Sequence, residues 1–217
     1  MPVMQIELLK SDALGRIEIV TDGDQSWIRR DIRPARFGMR WIARKAAARE
    51  ARVLTILAGV DGVPQLLAWD EGLLERSFMA GAPMQQAQPR NPDYFRQAHR
   101  LLKRLRGLGV VHNDLAKEPN WLLRDDGRPG IVDFQLAWHS RKRGRLFRLL
   151  AREDLRHLLK HKRSYCPDAL TPVERGLLAR RSWIASGWRA TGKRVYKFVA
   201  RRVFGYWDNE GKGRVRR

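Results

Sequence analysis

The pattern of apolar and polar residues predicts short β-strands near the start of the chain, at residues 4–9, 16–20 and 27–32. Successive side chains of a strand point to opposite faces, so only one of the neighbouring arginines Arg29 and Arg30 can face a core. Residues 21–24, Thr-Asp-Gly-Asp, have the composition of a tight turn between the last two segments. We therefore expect this part of the chain to form a meander of strands.

A helical pattern follows at residues 37–58, where Ala and Arg are abundant and no proline or glycine occurs after the second position. Glycines and a proline at residues 59–64 end this helix. Residues 65–69 and 73–79 are predicted to be two more strands. The sequence Ala-Gly-Ala-Pro at residues 80–83 then breaks the pattern.

The second half of the chain is predicted to be mostly helical. One helix is expected at residues 91–108, because its apolar residues recur with helical spacing. These apolar residues are Phe95, Ala98, Leu101, Leu102 and Leu105. A second helix is predicted at residues 151–160. Residues 171–174, Thr-Pro-Val-Glu, have the form of a capping box with proline at the first helical position, which predicts a third.

The stretch from Val111 to Gln135 is predicted to be a loop, a strand, a turn, a strand and a loop. The strands are the apolar runs at residues 121–123 and 131–132. Residues 125–127, Asp-Asp-Gly, form the turn, because Asp and Gly tolerate the backbone conformations that turns require. The hairpin therefore brings the residues just before its first strand next to those just after its second.

Polar side chains occupy these positions at the ends of the hairpin. Asn120 precedes the first strand, Asp133 follows the second, and Asp114 lies a few residues upstream. Oxygen ligands at adjacent strand ends suit a hard cation such as magnesium, which also takes phosphate oxygens of its substrate. A nearby carboxylate, Asp114, can orient a hydroxyl and accept its proton. An ordinary hairpin with polar turn residues is the alternative.

Composition is consistent with one compact intracellular domain. The chain has 217 residues, 43% of them hydrophobic, which is enough for a core and leaves room for two lobes. Its single cysteine, Cys166, excludes a disulfide within the chain and favours a reducing, cytoplasmic setting. The first residues do not have the pattern of a signal peptide. No apolar run approaches the length needed to span a bilayer.

The positive charge is concentrated in the last third of the chain. Of the net +21, residues 1–140 carry +4 and residues 141–217 carry +17. Such asymmetry indicates an anionic partner, which could be membrane lipid, a phosphorylated glycolipid or nucleic acid. The alternative is a solvated surface that only improves solubility.

Residues 193–204 are predicted to be a basic amphipathic helix flanked by Trp188 and Trp207. Its five basic residues are Lys193, Arg194, Lys197, Arg201 and Arg202. This composition favours peripheral, salt-sensitive binding to an anionic membrane. A final helix that packs its apolar face on the preceding domain is equally consistent with the pattern.

The hairpin and the residues before it resemble the active-site motifs of the protein-kinase-like superfamily. Residues 112–115, His-Asn-Asp-Leu, together with Asn120, resemble the catalytic loop, and residues 131–134, Ile-Val-Asp-Phe, resemble the metal-binding segment. The chain has no APE motif and no long activation segment. This absence makes it most similar to the bacterial lipopolysaccharide kinases that act on Kdo or heptose, and to RIO-type kinases.

The resemblance implies ATP and magnesium as cofactors and assigns roles to six residues. Asp114 would be the catalytic carboxylate and Lys117 would support the transferred phosphate. Asn120 and Asp133 would bind the metal. On the third strand Arg30 stands where the family has a phosphate-binding lysine. Glu50 is the only acidic residue of residues 33–60, and it resembles the helix glutamate that pairs with that lysine.

Four features depart from the family pattern. There is no glycine-rich loop, and only Gly15 lies near its expected position. Arginine replaces lysine at position 30, which keeps the charge but not the shape. Four residues separate Leu115 from Asn120, one more than in the common protein-kinase form. Gln135 replaces the glycine that follows Asp-Phe. These changes leave open an inactive relative that only binds nucleotide.

The resemblance implies an α+β, bilobed, protein-kinase-like fold. We predict a small β-rich N-lobe at residues 1–79, a reduced and mostly helical C-lobe at residues 80–170, and a basic helical extension at residues 171–217. The preferred function is a phosphotransferase acting on a sugar hydroxyl of the lipopolysaccharide core. The alternatives are a RIO-type serine/threonine protein kinase, and a nucleotide-binding pseudokinase that docks on membrane or RNA. The expected location is cytoplasmic, with peripheral binding to the inner face of the membrane.

Overall fold

A computed structural model of the protein describes residues 4–179. The predicted amphipathic helix at residues 193–204 lies outside these residues. Met1–Leu178 form one compact unit. Within residues 4–179, no helix is both long enough and apolar enough to cross a bilayer.

The first part of the chain forms a five-stranded antiparallel sheet with the order β1-β2-β3-β5-β4. The strands are β1 (Gln5–Asp12), β2 (Gly15–Asp22), β3 (Gln25–Asp31), β4 (Leu66–Trp69) and β5 (Leu73–Ser77). All five were predicted from the sequence pattern, with ends that differ by a few residues. The turn between β2 and β3 contains Gly23, whose φ of 57° suits glycine.

Helix α1 (Arg40–Ile56) covers one face of this sheet and contributes several small residues to the interface. Ala43, Ala47 and Ala51 are buried in one cluster with Leu74 of β5 and with Ile32, the residue after β3. Alanine combines high helix propensity with a short side chain, so the helix backbone can approach the sheet closely. Charged side chains on this side of α1 therefore lie close to the sheet.

The rest of the described chain is mainly helical, which confirms the predicted α+β fold class. The helices are α2 (Met84–Ala87), α3 (Pro92–Gly107), α4 (Arg145–Tyr165) and α5 (Pro172–Ala179). The larger hydrophobic core lies between α3, α4, the end of α1 and the strands around the hairpin. It includes the buried side chains Leu54, Tyr94, Phe95, Trp121 and Phe134.

Local sequence signals explain the ends of α3 and α5. Asn91 caps α3 by accepting a hydrogen bond from the Asp93 N–H at 2.9 Å. At α5 the Thr171 hydroxyl accepts from the Glu174 N–H at 3.2 Å, and Glu174 accepts from the Thr171 N–H at 2.8 Å. The predicted capping box is thus confirmed.

Helix α4 is twice as long as the helix predicted at residues 151–160, and begins at Arg145. The additional first turns contain several arginines, which are good helix formers, and the buried side chain of Phe147. The prediction started too late because it followed the leucine spacing and treated the preceding basic residues as a surface region.

Five short strands make up the hairpin and the segments next to it. They are β6 (Ala82–Pro83), β7 (Val110–Val111), β8 (Trp121–Leu123), β9 (Pro129–Ile131) and β10 (Trp138–His139). Strands β8 and β9 form the predicted hairpin, with Trp121 opposite Ile131. Strand β6 pairs with β8, and β7 pairs with β10. The ends of the hairpin therefore sit on a small, fully paired framework.

Candidate functional site

The hairpin brings Asn120 and Asp133 to the same edge, as the sequence predicted. The pairing of β8 with β9 continues one step, because the Val132 N–H donates to the Asn120 carbonyl at 3.0 Å. Asp133 is the next residue, and its φ of 68° and ψ of 70° are left-handed. For a residue other than glycine this conformation is uncommon. It turns the chain sharply after β9, directly beside Asn120.

The side chain of Asn120 is oriented by Asp114. Its Nδ2 donates to the Asp114 carbonyl at 2.9 Å and to Asp114 Oδ2 at 3.1 Å. Because the amide nitrogen is held there, the amide oxygen is the atom of Asn120 that can bind a cation. The Asp133 carboxylate could supply a second oxygen ligand at the same edge. An amide and a carboxylate fit magnesium, whose remaining ligands come from phosphates and water.

No three His, Cys, Asp or Glu side chains of residues 4–179 cluster as metal ligands. Asn120 and Asp133 offer two oxygen-bearing side chains, and Mg²⁺ takes further ligands from water and from substrate phosphates. Such a metal shell is compatible with a nucleoside triphosphate.

Lys117 and Asp114 form an ion pair at the mouth of the site. Lys117 Nζ lies 3.0 Å from Asp114 Oδ2, and the Lys117 side chain is half exposed while that of Asp114 is mostly buried. Asp114 Oδ2 thus contacts both the lysine and the Asn120 amide. Both contacts hold the same oxygen, Oδ2, and thereby restrain a carboxylate that could orient a hydroxyl.

His112 supports this loop as a neutral side chain. Its Nε2 lies 3.0 Å from the Val132 carbonyl, which can only accept, so Nε2 carries the proton. Its Nδ1 then accepts from the Asp114 N–H at 3.3 Å. The imidazole is fully buried, and burial lowers its pKa. His112 therefore ties the loop before Asp114 to the strand that leads to Asp133.

Asp154 of α4 also holds this loop, and the sequence analysis did not identify it. Its two carboxylate oxygens accept hydrogen bonds from the N–H groups of His112 at 2.7 Å and Asn113 at 3.0 Å. Burial raises the pKa of Asp154 to about 7. The sequence signal that could have identified Asp154 was an acidic residue among the leucines of a predicted helix, next to Glu153.

The raised pKa of Asp154 predicts a pH-dependent contribution to stability. Unfolded, this carboxyl titrates near its ordinary value of 3.8, whereas in the folded protein it titrates near 7. Its contribution is therefore complete below pH 4 and is lost as the pH rises toward 7. Asp154→Asn removes this titration. Urea unfolding should show a larger stability difference between wild type and variant at pH 5 than at pH 8, and an equal difference would contradict the buried assignment.

Arg30 and Glu50 meet between the sheet and α1. The inner face of the sheet carries Arg30 on β3, and its Nε lies 3.6 Å from Oε2 of the fully buried Glu50. Glu50 is thus no surface helix residue. The neighbouring Arg29 points to the other face, where its Nε donates to Glu75 at 2.8 Å. The expectation that only one of the two arginines faces inward is confirmed.

A second arginine, Arg76 of β5, completes this cluster and was not identified from the sequence. Its Nε lies 3.3 Å from Glu50 Oε1, and its side chain is nearly as buried as that of Arg30. Burial lowers the pKa of Arg76, while Glu50 and Asp133 oppose that shift. Glu50, Arg30 and Asp133 are thus the charged groups that act on the Arg76 guanidinium.

The buried cluster contains two cations and one anion. At these separations the contacts are ion pairs, and within residues 4–179 neither Glu50 oxygen nor Arg30 Nε has a hydrogen-bond partner. Two guanidinium groups face one carboxylate, so the cluster has a net positive charge and its arginine N–H groups are suited to donate to an anionic ligand. The phosphates of a nucleotide have the required charge and acceptor oxygens.

Gly15 has a structural role that differs from that of a phosphate-binding glycine. β1 and β2 are joined by only two residues, and Gly15 follows with a φ of 123°. A Cβ at this position would lie 2.2 Å from the Asp31 carbonyl oxygen. Glycine is therefore required by contact with the end of β3. The connection is too short to be a glycine-rich loop.

Gln135 also has a defined contact. Its Nε2 donates to Asp133 Oδ1 at 2.8 Å. In place of a flexible glycine, the chain therefore has a side chain that holds one oxygen of the predicted metal ligand. The other oxygen, Oδ2, is the one that this hydrogen bond leaves for a cation.

A surface cavity of about 530 Å³ borders residues 78–80 and the hairpin turn, and it reaches Ala80 at the start of residues 80–83, which resemble a kinase hinge and the segment after it. Its lining includes Asp61, Gln65, Arg124 and Asp126. None of the six residues with predicted roles contributes to it. The cavity is therefore separate from the Asn120 and Asp133 edge.

Comparisons with known proteins give information at the level of the fold. The sequence matches no protein-family model and no curated protein. Among solved structures, the chain is similar to the Rio2 kinase from Chaetomium thermophilum, with 17% identity and a TM-score of 0.59, covering 89% of this chain and 69% of that one. It is also similar to an ADP/Mg²⁺-phosphoaspartate complex of that kinase, with 18% identity and a TM-score of 0.57, covering 89% and 67%. The described chain thus has a fold similar to that of these kinase structures.

Proposed function

We propose that this protein is an ATP- and magnesium-dependent phosphotransferase that acts on an alcohol group. One observation carries the proposal: the Asn120 amide is bonded to Asp114 at the edge where Asp133 leaves the hairpin. This arrangement combines a candidate base with two oxygen ligands for a metal, as kinase phosphoryl transfer requires. The solved complex of a similar fold with ADP and Mg²⁺ supports the choice of cofactors.

In this proposal the sheet side of the site holds the nucleotide phosphates. Arg30 binds phosphate oxygens, and its ion pair with Glu50 keeps its guanidinium in position. Magnesium, held by Asn120 and Asp133, would neutralise charge on the phosphates when bound. The protein itself thus contributes one guanidinium group and two oxygen ligands, all held in fixed positions.

On the opposite side, Asp114 orients the acceptor hydroxyl and accepts its proton. Lys117 is placed to support the transferred phosphate, because its ammonium group lies 3.0 Å from Asp114 Oδ2. A cation there counters the negative charge that the phosphoryl group brings near the carboxylate.

The proposed acceptor is a sugar hydroxyl of the lipopolysaccharide core. It rests on the absence of an APE motif and of a long activation segment in the sequence. A serine or threonine of a protein is the second candidate, favoured by the likeness to Rio2 kinase. Mass spectrometry of the lipid A-core from cells with and without the protein separates the two, because only the first predicts a missing phosphate.

A nucleotide-binding pseudokinase is the competing function. The hydrogen bond from Gln135 to Asp133 favours it, since it occupies one oxygen of a proposed metal ligand. The short connection between β1 and β2 also provides no glycine-rich cover for the phosphates. In that case the protein would bind ATP and transfer nothing.

Calorimetry of ATP binding tests the proposed cofactors. We expect ATP to bind much more tightly with magnesium than with a chelator, because Asn120 and Asp133 contact the nucleotide only through the metal. Equal affinity in the two conditions would remove these residues from the proposed role.

The two arginines of β3 provide a matched pair for the same measurement. Arg30→Ala should weaken ATP binding, because it removes the inward-facing guanidinium. Arg29→Ala removes the same side chain from the opposite face, where it pairs with Glu75, and should leave ATP affinity unchanged. The reverse result would place the phosphates on the other face of the sheet.

A further inference from the structure

The outward surface of α1 and of the turn before it is strongly basic. Residues 33–52 contain seven exposed basic side chains and one acidic residue, Glu50, which is buried against the sheet. The seven are Arg33, Arg36, Arg40, Arg44, Lys45, Arg49 and Arg52. Acidic neighbours reach the edges of this surface, where Asp31 pairs with Arg33 and Glu71 pairs with Arg44. The middle of this basic surface is therefore positively charged.

Large apolar side chains project from the same surface. Phe37 is 98% exposed and Trp41, one helical turn further on, is 65% exposed. Ile42 is also exposed. The ammonium group of Lys45 lies 3.9 Å from the centre of the Trp41 ring. We name Arg36, Phe37, Arg40, Trp41, Ile42 and Lys45 the α1 outer face.

The fold does not account for these apolar side chains. The opposite side of α1 packs on the sheet through Ala43, Ala47 and Ala51. Phe37 opens the short 3-10 turn that leads into α1, and Trp41 is the second residue of α1, so both exposed rings stand at the start of the helix. They belong to neither hydrophobic core. Exposing two aromatic rings to water is unfavourable, and a contiguous exposed apolar patch indicates an interaction surface.

We propose that the α1 outer face docks on an anionic phospholipid membrane. Aromatic and aliphatic side chains surrounded by Lys and Arg are typical of helices that lie in the membrane interface, where the rings enter the headgroup region and the cations meet lipid phosphates. Ile42 has neither a ring that could stack on a base nor a polar atom that could bind one. The aliphatic part of this surface therefore favours lipid over RNA as the partner.

This surface is distinct from the basic segment predicted near the C-terminus and from the proposed site of phosphoryl transfer. None of its side chains contributes to the Arg30, Glu50 and Arg76 cluster. Its function can therefore be tested whether or not the protein transfers phosphate.

The test measures partition of the full-length protein onto vesicles with and without phosphatidylglycerol, at low salt. Neutralising two cations with Arg36→Gln and Arg40→Gln should weaken binding to the anionic vesicles about 25-fold, or about fivefold for each charge. Phe37→Ser combined with Trp41→Ser should also weaken it. The matched control is Arg100→Gln with Arg104→Gln, two exposed arginines of α3, which should have little effect.

Trp41 itself provides a direct readout of insertion. The difference in fluorescence between the wild type and Trp41→Phe is the emission of Trp41. Brominated phosphatidylcholine, mixed into the anionic vesicles, should quench this emission. Unquenched Trp41, or variants of the α1 outer face that bind vesicles as tightly as wild type, would overturn the proposal. Single-stranded RNA bound with the same dependence on Arg36, Arg40 and Trp41, in the absence of vesicle binding, would assign the surface to nucleic acid and also overturn it.

Discussion

Replacing Asp114 with asparagine is expected to slow transfer of the ATP γ-phosphate by about 10²–10⁴-fold, the usual contribution of a general base. Asparagine keeps the size of the side chain and one acceptor oxygen, so the contacts with Asn120 can persist in part. ATP affinity should therefore change little. Single-turnover transfer from radiolabelled ATP, to the acceptor or to water, measures the rate, and calorimetry measures the affinity.

Asp125→Asn is a suitable control for this substitution. Asp125 lies in the exposed hairpin turn, and the same change of charge there should leave the rate unaltered. An Asp114→Asn variant that transfers phosphate at the wild-type rate would show that Asp114 does not accept the proton. A variant that also loses ATP binding would instead indicate that Asp114 holds the nucleotide site together.

Glu50→Gln should destabilise the protein by about 3–5 kcal/mol, as is typical when one member of a buried ion pair is removed. Glutamine has nearly the same shape but no charge, so the guanidinium groups of Arg30 and Arg76 would be left buried without an anion. Their mutual repulsion adds to the cost. Urea unfolding followed by circular dichroism measures the loss, and ATP affinity should fall with it because Arg30 is no longer held.

Glu71→Gln is the matched control on the surface. Glu71 pairs with Arg44, and both side chains are largely exposed. Such pairs contribute about 0–1 kcal/mol, so this variant should unfold almost as wild type does. If both substitutions had equally small effects, Glu50 would have to be accessible to water, and the buried cluster would be wrong.

Local sequence signals were sufficient for much of the fold and for one part of the site. The hairpin could be predicted because a turn sequence lies between two apolar runs, and its geometry then fixed the relation of Asn120 to Asp133. The alternation of a strand predicted that only one of Arg29 and Arg30 faces inward, and the resemblance to the kinase lysine selected Arg30. Glu50 could be chosen because no other acidic residue occurs nearby. Each of these inferences uses residues that are close together in the chain.

Arg76 and Asp154 could not be found in this way, because their roles depend on partners far away in the sequence. Arg76 meets Glu50 only after β5 has paired with β3, which places Ile28 opposite Arg76. Asp154 meets the residues around His112 only after α4 has packed beside the catalytic-loop region. The pattern of the helix predicted a surface acid at Asp154 as readily as a buried one.

Gly15 shows a second reason why the role of a residue could not be predicted from the sequence. The sequence showed no glycine-rich loop, and only Gly15 stood near its expected position. The structure gives it a tight approach to the Asp31 carbonyl, which depends on the length of the turn between β1 and β2. Glycine is required in both situations, and residue type alone does not distinguish them.

The most direct test of the account is a crystal structure with a non-hydrolysable ATP analogue and Mn²⁺ in place of Mg²⁺. The anomalous signal of manganese locates the ion without reference to the density of the ligand. We predict one peak about 2.1 Å from oxygens of both Asn120 and Asp133, with the analogue's phosphates next to Arg30. Nucleotide bound elsewhere, or a metal ion that contacts neither Asn120 nor Asp133, would contradict the proposed function.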